Sequence, residues 1–133
     1  MYLTLLSQDE KEMFLELAYN IVNVDGNFSQ DERSLLSTYC QEAQCSFDEK
    51  EVRPANVLAD KINTNSNKRN KQIIVFELVG LAMSDGDFVE SEKEMISNIS
   101  KIFGINSSFL DDCEKEINRY FEFQMNLNKL VLE

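Results

Sequence analysis

The residues of this chain that could do chemistry are carboxylates, and they recur at a fixed spacing. Asp25-Gly26-Asn27-Phe28 is followed by Glu32, and Asp85-Gly86-Asp87-Phe88 by Glu92, the second set 60 residues after the first. A glycine at a sharp bend, a carboxylate just before it and a glutamate six residues after it form the layout with which an EF-hand loop offers oxygen ligands to Ca²⁺. The first ligand of such a loop, five residues before the glycine, should be Asp. Here that place holds Ile21 and Leu81, and the next ligand position holds Asn23 in one copy and Met83 in the other. A standard EF-hand is excluded in both.

Two readings of the turns remain. As structure, Gly26 and Gly86 stop a helix in the left-handed region. Asp25 and Asp85 accept hydrogen bonds from backbone N–H groups just ahead, and Glu32 closes a capping box with Ser29. As a ligand site, the carboxylates of Asp25, Glu32, Asp85, Asp87 and Glu92 are the candidate metal ligands, and an all-oxygen set selects Ca²⁺ or Mg²⁺ over zinc or copper. The second turn is the stronger of the two for an ion. It gains Asp87, and Val89 stands where the first copy has Ser29, so Glu92 has no serine to pair with.

The composition narrows the field further. The 133 residues include 24 Asp and Glu, 13 Lys and Arg and no His, for a net charge of −11. Without histidine there is no Ser-His-Asp triad, no Cys-His pair and no imidazole zinc site. The acidic balance argues against nucleic acid, whose phosphates need Lys and Arg. Cys40, Cys45 and Cys113 form no CxxC pair and read as small apolar core residues of a reducing cytosol. No stretch approaches a membrane span, and the start lacks the basic and long apolar regions of a signal peptide, so a cytoplasmic location is expected. An enzyme is not expected. There is no glycine-rich phosphate loop, and no carboxylate lies in a context that predicts burial, so no acid–base pair with a raised pKa is in view.

The elements that must position these turns are helices. The apolar pattern repeats at the same 60-residue offset, Phe14 with Ile74, Ala18 with Leu78, Ile21 with Leu81 and Leu36 with Ile96. Each copy reads as helix, Asp-Gly turn, helix. Capping boxes at Ser7, Ser29 and Ser46 predict helices over residues 8–23, 29–44 and 47–62, with Pro54 ending or kinking the first part of the third. Residues 63–67 read as the linker between copies. The only basic cluster, Lys68, Arg69 and Lys71, opens a helix over 68–83 whose apolar residues run nearly all round, which places it at the centre. A further helix spans 89–103, with Gly104 as its left-handed stop and Ile105 as the accompanying apolar contact. The last begins near Ser107 or Ser108. Beyond Tyr120, apolar and polar residues alternate, and in this setting the tail is expected to continue as helix or to dock. The expected fold is all-α, a compact bundle of six to seven helices in one domain over 1–133. It has an internal pseudo-two-fold duplication (copies 8–62 and 68–104) and a C-terminal helix and tail over 107–133.

A helix ending in Asp-Gly, an apolar residue two on and a glutamate four beyond that, occurring twice in an all-helical chain of this size, resembles the TerB-like family. That family takes in the tellurite resistance protein TerB and the N-terminal domain of DjlA-type co-chaperones. The resemblance runs from about Phe14 to about Ile105. Val24 and Ser84 depart mildly from the small residues that usually precede the Asp. The resemblance implies a non-catalytic accessory module in bacterial responses to tellurite and other chemical stress, working beside membrane-associated protein partners and binding metal ions through acidic residues. Those would be Asp25 and Glu32, then Asp85 and Glu92, with Asn27 and Asp87 beside them. The alternative is a purely protein–protein scaffold or homodimer in which the turns are structural and the apolar tail does the work.

Overall fold

The computed structural model describes residues 2–24, 26, 29–84 and 88–133. Among them are six α-helices, α1 (Gln8–Val22), α2 (Gln30–Ala43), α3 (Ala55–Asn65), α4 (Lys68–Ala82), α5 (Glu90–Ile102) and α6 (Ser107–Leu132), and short 3-10 turns at Leu3–Leu5 and Glu49–Glu51, with no strand. The all-α bundle read from the sequence is the fold.

α1 and α4 form the centre and pack on one another. α2 and α3 flank α1, α5 and α6 flank α4, and α3 also rests on α5. The reason lies in the sequence of the two central helices. α1 buries Met13, Phe14, Leu15, Leu17, Ala18, Ile21 and Val22, and α4 buries Ile73, Ile74, Val75, Leu78, Val79, Leu81 and Ala82. Apolar arcs that wide are satisfied only by neighbours on several sides. The outer helices have narrower faces, such as Leu58, Ala59 and Ile62 on α3. Phe14 meets Tyr39 of α2 edge to face, with ring centroids 5.4 Å apart, the arrangement the aromatic quadrupole favours.

The helix ends show why the boundaries fall where they do. At α1 the Ser7 Oγ accepts from the Glu10 N–H at 3.2 Å while the Ser7 N–H donates to Glu10 Oε1 at 2.7 Å, a complete capping box. Ser29 and Glu32 repeat it at α2, both bonds at 3.1 Å. α5 ends as expected: Gly104 has φ +71, its N–H reaches the Lys101 carbonyl, and the Ile105 N–H reaches that of Ser100. That is the double bond of a Schellman stop. α2 ends the same way at Gln44, which holds φ 57 without being glycine.

Two sequence expectations are corrected. Ser46 does not cap a helix, and residues 47–62 are not one. Residues 45–48 are loop, Asp48 caps the Glu49–Glu51 turn by accepting from the Lys50 N–H at 2.9 Å, and α3 begins only after Pro54. Proline removes a helical hydrogen bond and keeps the residue before it extended, so a helix cannot run through Arg53-Pro54. Phe47 packs on Tyr19 instead. The linker is also shorter than 63–67. α3 continues to Asn65, because Thr64 Oγ1 and Asn65 Nδ2 bond back to the carbonyls of Asp60 and Lys61, leaving only residues 66 and 67 between α3 and α4. The tail beyond Tyr120 is helix, the unbroken continuation of α6.

Candidate functional site

The five predicted ion ligands divide into two groups. Asp25, Asp85 and Asp87 lie outside the described residues. Glu32 and Glu92 are described, and both are buried, 5% and 4% exposed, in the first turns of α2 and α5. The carboxylate of Glu32 is engaged with the Ser29 N–H in its capping box. Glu92 follows an N-cap, Val89, that offers no side-chain hydrogen bond. α2 packs chiefly on α1, and α5 chiefly on α4 and α3. Among the described residues no three Asp, Glu, Cys or His side chains come together as a metal cluster would require.

Three further glutamates are buried where the sequence did not predict burial, Glu10, Glu16 and Glu77, and each is held by a partner distant in the chain. Glu10 accepts from Asn70 Nδ2 through both oxygens, at 2.9 and 3.1 Å, which ties the start of α1 to the start of α4. Arg69 Nε donates to Asn70 Oδ1 at 3.1 Å and so turns the amide's donors toward Glu10. Burial opposes ionisation of Glu10, but the Ser66 hydroxyl and the donors of Ser7 and Asn70 around the carboxylate outweigh it, and its pKa falls below the ordinary value. Glu16 is held by Arg53. The Arg53 N–H and Nε both donate to Oε1, at 3.0 and 3.1 Å, and Nη2 donates to Oε2. Burial again disfavours the charge, Arg53 and more distantly Lys61 favour it, and the carboxyl is held low. Asn20 Nδ2 donates to the Arg53 carbonyl at 2.9 Å, fastening the strap before α3 to α1. Glu77 accepts from the Tyr2 N–H at 2.9 Å, and its backbone carbonyl accepts from the Tyr39 hydroxyl at 3.3 Å. Burial and then the nearby carboxylates push the Tyr39 phenol far above its usual range, so it acts as a neutral donor. For Glu10 and Glu16 the charged form is favoured, which suits structural ties; a general acid needs the opposite shift.

The cysteines follow the same logic. All three are free thiols. Burial pushes Cys113 up to about 11, and raises Cys40 and Cys45 as well. A thiol held protonated is a poor nucleophile.

The largest departure from a closed globule is α6. Its 26 residues span about 39 Å, but only Cys113 and Ile117 are buried, and every residue from 118 to 133 is exposed. Eight large apolar side chains stand in water there, from Tyr120 at 50% exposure to Phe123 at 62%, Leu130 at 79% and Leu132 at 78%. The groove at the base of this helix is apolar too. It is a cavity of about 380 Å³ between α2, α4 and α6, lined by Leu35, Tyr39, Phe76, Gly80, Ile117, Tyr120 and Phe121, with Glu77, Glu116 and Ser84 among its few polar members. Gly80 makes its floor: a Cβ there would stand 3.7 Å from the Tyr39 hydroxyl. The buried Ser84 Oγ has no hydrogen-bond partner.

The family model for tellurite resistance protein TerB matches residues 44–115, more than half of the chain. The chain belongs to the TerB family. No curated protein and no solved structure matches it.

The TerB match runs from the end of α2 into the first part of α6. It takes in the second acidic turn with Glu92 and leaves the first, with Glu32, outside. This span is displaced toward the C-terminus from the one the motifs suggested. The projecting half of α6 lies beyond the TerB match altogether, whereas the helix that makes the groove's floor lies within it.

Proposed function

We propose that this TerB-family chain is a non-catalytic accessory module whose working surface is the projecting half of α6, and that it serves a response to tellurite or related chemical stress by holding protein partners there. The observation that supports the reading is the run of eight exposed apolar side chains over residues 120–132. A soluble monomer seldom exposes an apolar patch larger than a few hundred Å², and larger ones mark interaction sites. None of the described helices is long and apolar enough to cross a membrane, so a membrane-associated partner would be met from the surface. The test is a triple variant, Phe123→Asp, Leu127→Asp and Leu130→Asp, placed where no core contact is lost. Its complexes in extract of the native host, fixed by cross-linking, are expected to disappear while thermal unfolding of the bundle is unchanged. Complexes that persist with all three charges in place would refute the reading.

A second function rests on Glu92. It is a carboxylate 4% exposed, three residues into α5 and directly after the acidic turn. In this reading Asp85, Asp87 and Glu92 take Ca²⁺ or Mg²⁺, and the ion tunes the module. Calorimetric titration of either ion into chelator-stripped protein, with melts alongside, tests it. Saturable binding lost in Asp85→Asn supports the site, and no heat up to millimolar ion removes it.

A further inference from the structure

We propose that the occupant of the α6 surface is a second copy of this chain, each copy laying the projecting half of its α6 into the apolar groove at the base of the other's. The inference rests on the reading of α6 as a docking surface and names what docks.

Three observations favour a second copy. The first is self-complementarity. The groove walled by Leu35, Tyr39, Phe76, Ile117 and Phe121 runs directly into the exposed tail of the same helix. A chain cannot fold its own straight helix back into the groove from which it springs, but a two-fold axis lets each helix fill the other's groove, the isologous arrangement of most dimers. The second is charge. The chain carries −11, but residues 120–133 hold only Glu122, Lys129 and Glu133, so this is the stretch along which two such acidic chains approach with least repulsion. The third is area. Eight half-exposed large side chains offer on the order of 800 Å² per copy, one partner's share of a standard interface at roughly 800 Å² a side.

The residue pattern sets the register. Arg119, Glu122, Asn126, Lys129 and Glu133, spaced three and four apart, fall along one side of α6, and the rest of its circumference is nearly all apolar. Gln124 and Asn128 are the exceptions, lying on the arc that continues Ile117 and Phe121. α4 and α6 run in the same direction past the groove, since residues 69–76 share one cavity with 109–116 and residues 76–84 share the next with 116–121. An antiparallel pairing centred near Gln124 therefore sets Asn128 of one copy beside Ser84 of the other, giving the buried Ser84 hydroxyl a partner.

Sedimentation equilibrium of the purified full chain at micromolar concentrations tests this. A dimer is expected. Phe123→Asp with Leu130→Asp should return it to a folded monomer whose melting temperature no longer depends on concentration. Gly80→Leu, which fills the floor of the groove, should weaken association by about tenfold or more, while Gly80→Ala, which has room, should leave it intact. A protein monomeric throughout overturns the proposal. If its complexes in host extract are nevertheless lost in the triple Asp variant, the docking reading stands and the occupant is another protein. A dimer indifferent to Gly80→Leu, with that variant folded, overturns the tail-in-groove geometry.

Discussion

Asn70→Ala is the most incisive perturbation of the fold, because it removes one amide from between the two central helices. Asn70 is 8% exposed and Glu10 7%, and both oxygens of Glu10 accept from Asn70 Nδ2, at 2.9 and 3.1 Å. Hydrogen bonds to a charged group contribute about 1.5–3 kcal/mol each way they are lost, and a buried carboxylate left short of donors adds its desolvation penalty. Ser7 continues to donate to Glu10, so the expected loss is about 2–3 kcal/mol near pH 7, or roughly 6–12 °C in melting temperature for a chain of this size. Urea unfolding at a series of pH values is the assay. The carboxyl of Glu10 lies below 4.5 when folded. Its contribution is therefore complete above that value and disappears as pH falls through the lower, folded one. The gap between wild type and Asn70→Ala should accordingly be full at neutral pH and shrink as the pH falls below the ordinary carboxylate value. A double-mutant cycle with Glu10→Gln should return a coupling of about 1–2 kcal/mol. A penalty that is the same at pH 7 and in acid would show that Asn70 acts by packing alone, and a penalty under about 0.5 kcal/mol would remove it as a tie.

The remaining predictions concern helix ends and one strap. Val89→Ser supplies the missing half of a capping box whose Glu92 is already present, and should stabilise by about 1 kcal/mol, whereas Ser29→Ala should cost about as much; paired melts decide both. Gln44→Gly relieves a left-handed non-glycine and should raise stability by about 1 kcal/mol, and Gly104→Ala at φ +71 should lower it similarly. Arg53→Ala frees the strap before α3 and should cost about 1–2 kcal/mol, discounted because the guanidinium is partly exposed. Hydrogen exchange should find amides 124–132 poorly protected in dilute protein and better protected as concentration rises, and a profile independent of concentration would speak against pairing of the tails.

What the sequence revealed and what it hid separate along a physical line. Ser7 with Glu10, Ser29 with Glu32, and Gly104 with Ile105 are local devices whose partners lie within a few residues, and each is where the pattern placed it. α4 reads as central because its apolar run is written on one helix. Ser46-Phe47-Asp48-Glu49 has the letters of a capping box, yet Pro54 forbids the helix it would start, so a short motif lost to a constraint eight residues on. The buried glutamates were hidden for a deeper reason. Glu16 and Glu77 sit inside apolar runs where a carboxylate looks misplaced, and only the fold brings Arg53 and the Tyr2 N–H, 37 and 75 residues away, to satisfy them. The candidate ion site was legible as a spacing of carboxylates, but whether such a spacing converges depends on turn geometry that spacing does not contain.

The helix ends also bear on why α6 is so long. Positions 60 residues apart carry different solutions to the same local problem: Ser7 and Asn67 each accept from the third residue of a central helix, and Gln44 and Gly104 each stop a helix in the left-handed region. Residues 118–133 obey a different rule. None of them is buried, and Asn126 and Asn128 are weak helix formers, so a helix of this length is marginal in water without a packing partner. Sixteen residues that add no core yet, Gln124 and Asn128 apart, keep polar side chains on one side and Phe, Met, Leu and Val around the rest fit the docking surface proposed above. An exposed apolar arc of this kind is an aggregation hazard when nothing covers it, which is the physical reason to look for an occupant.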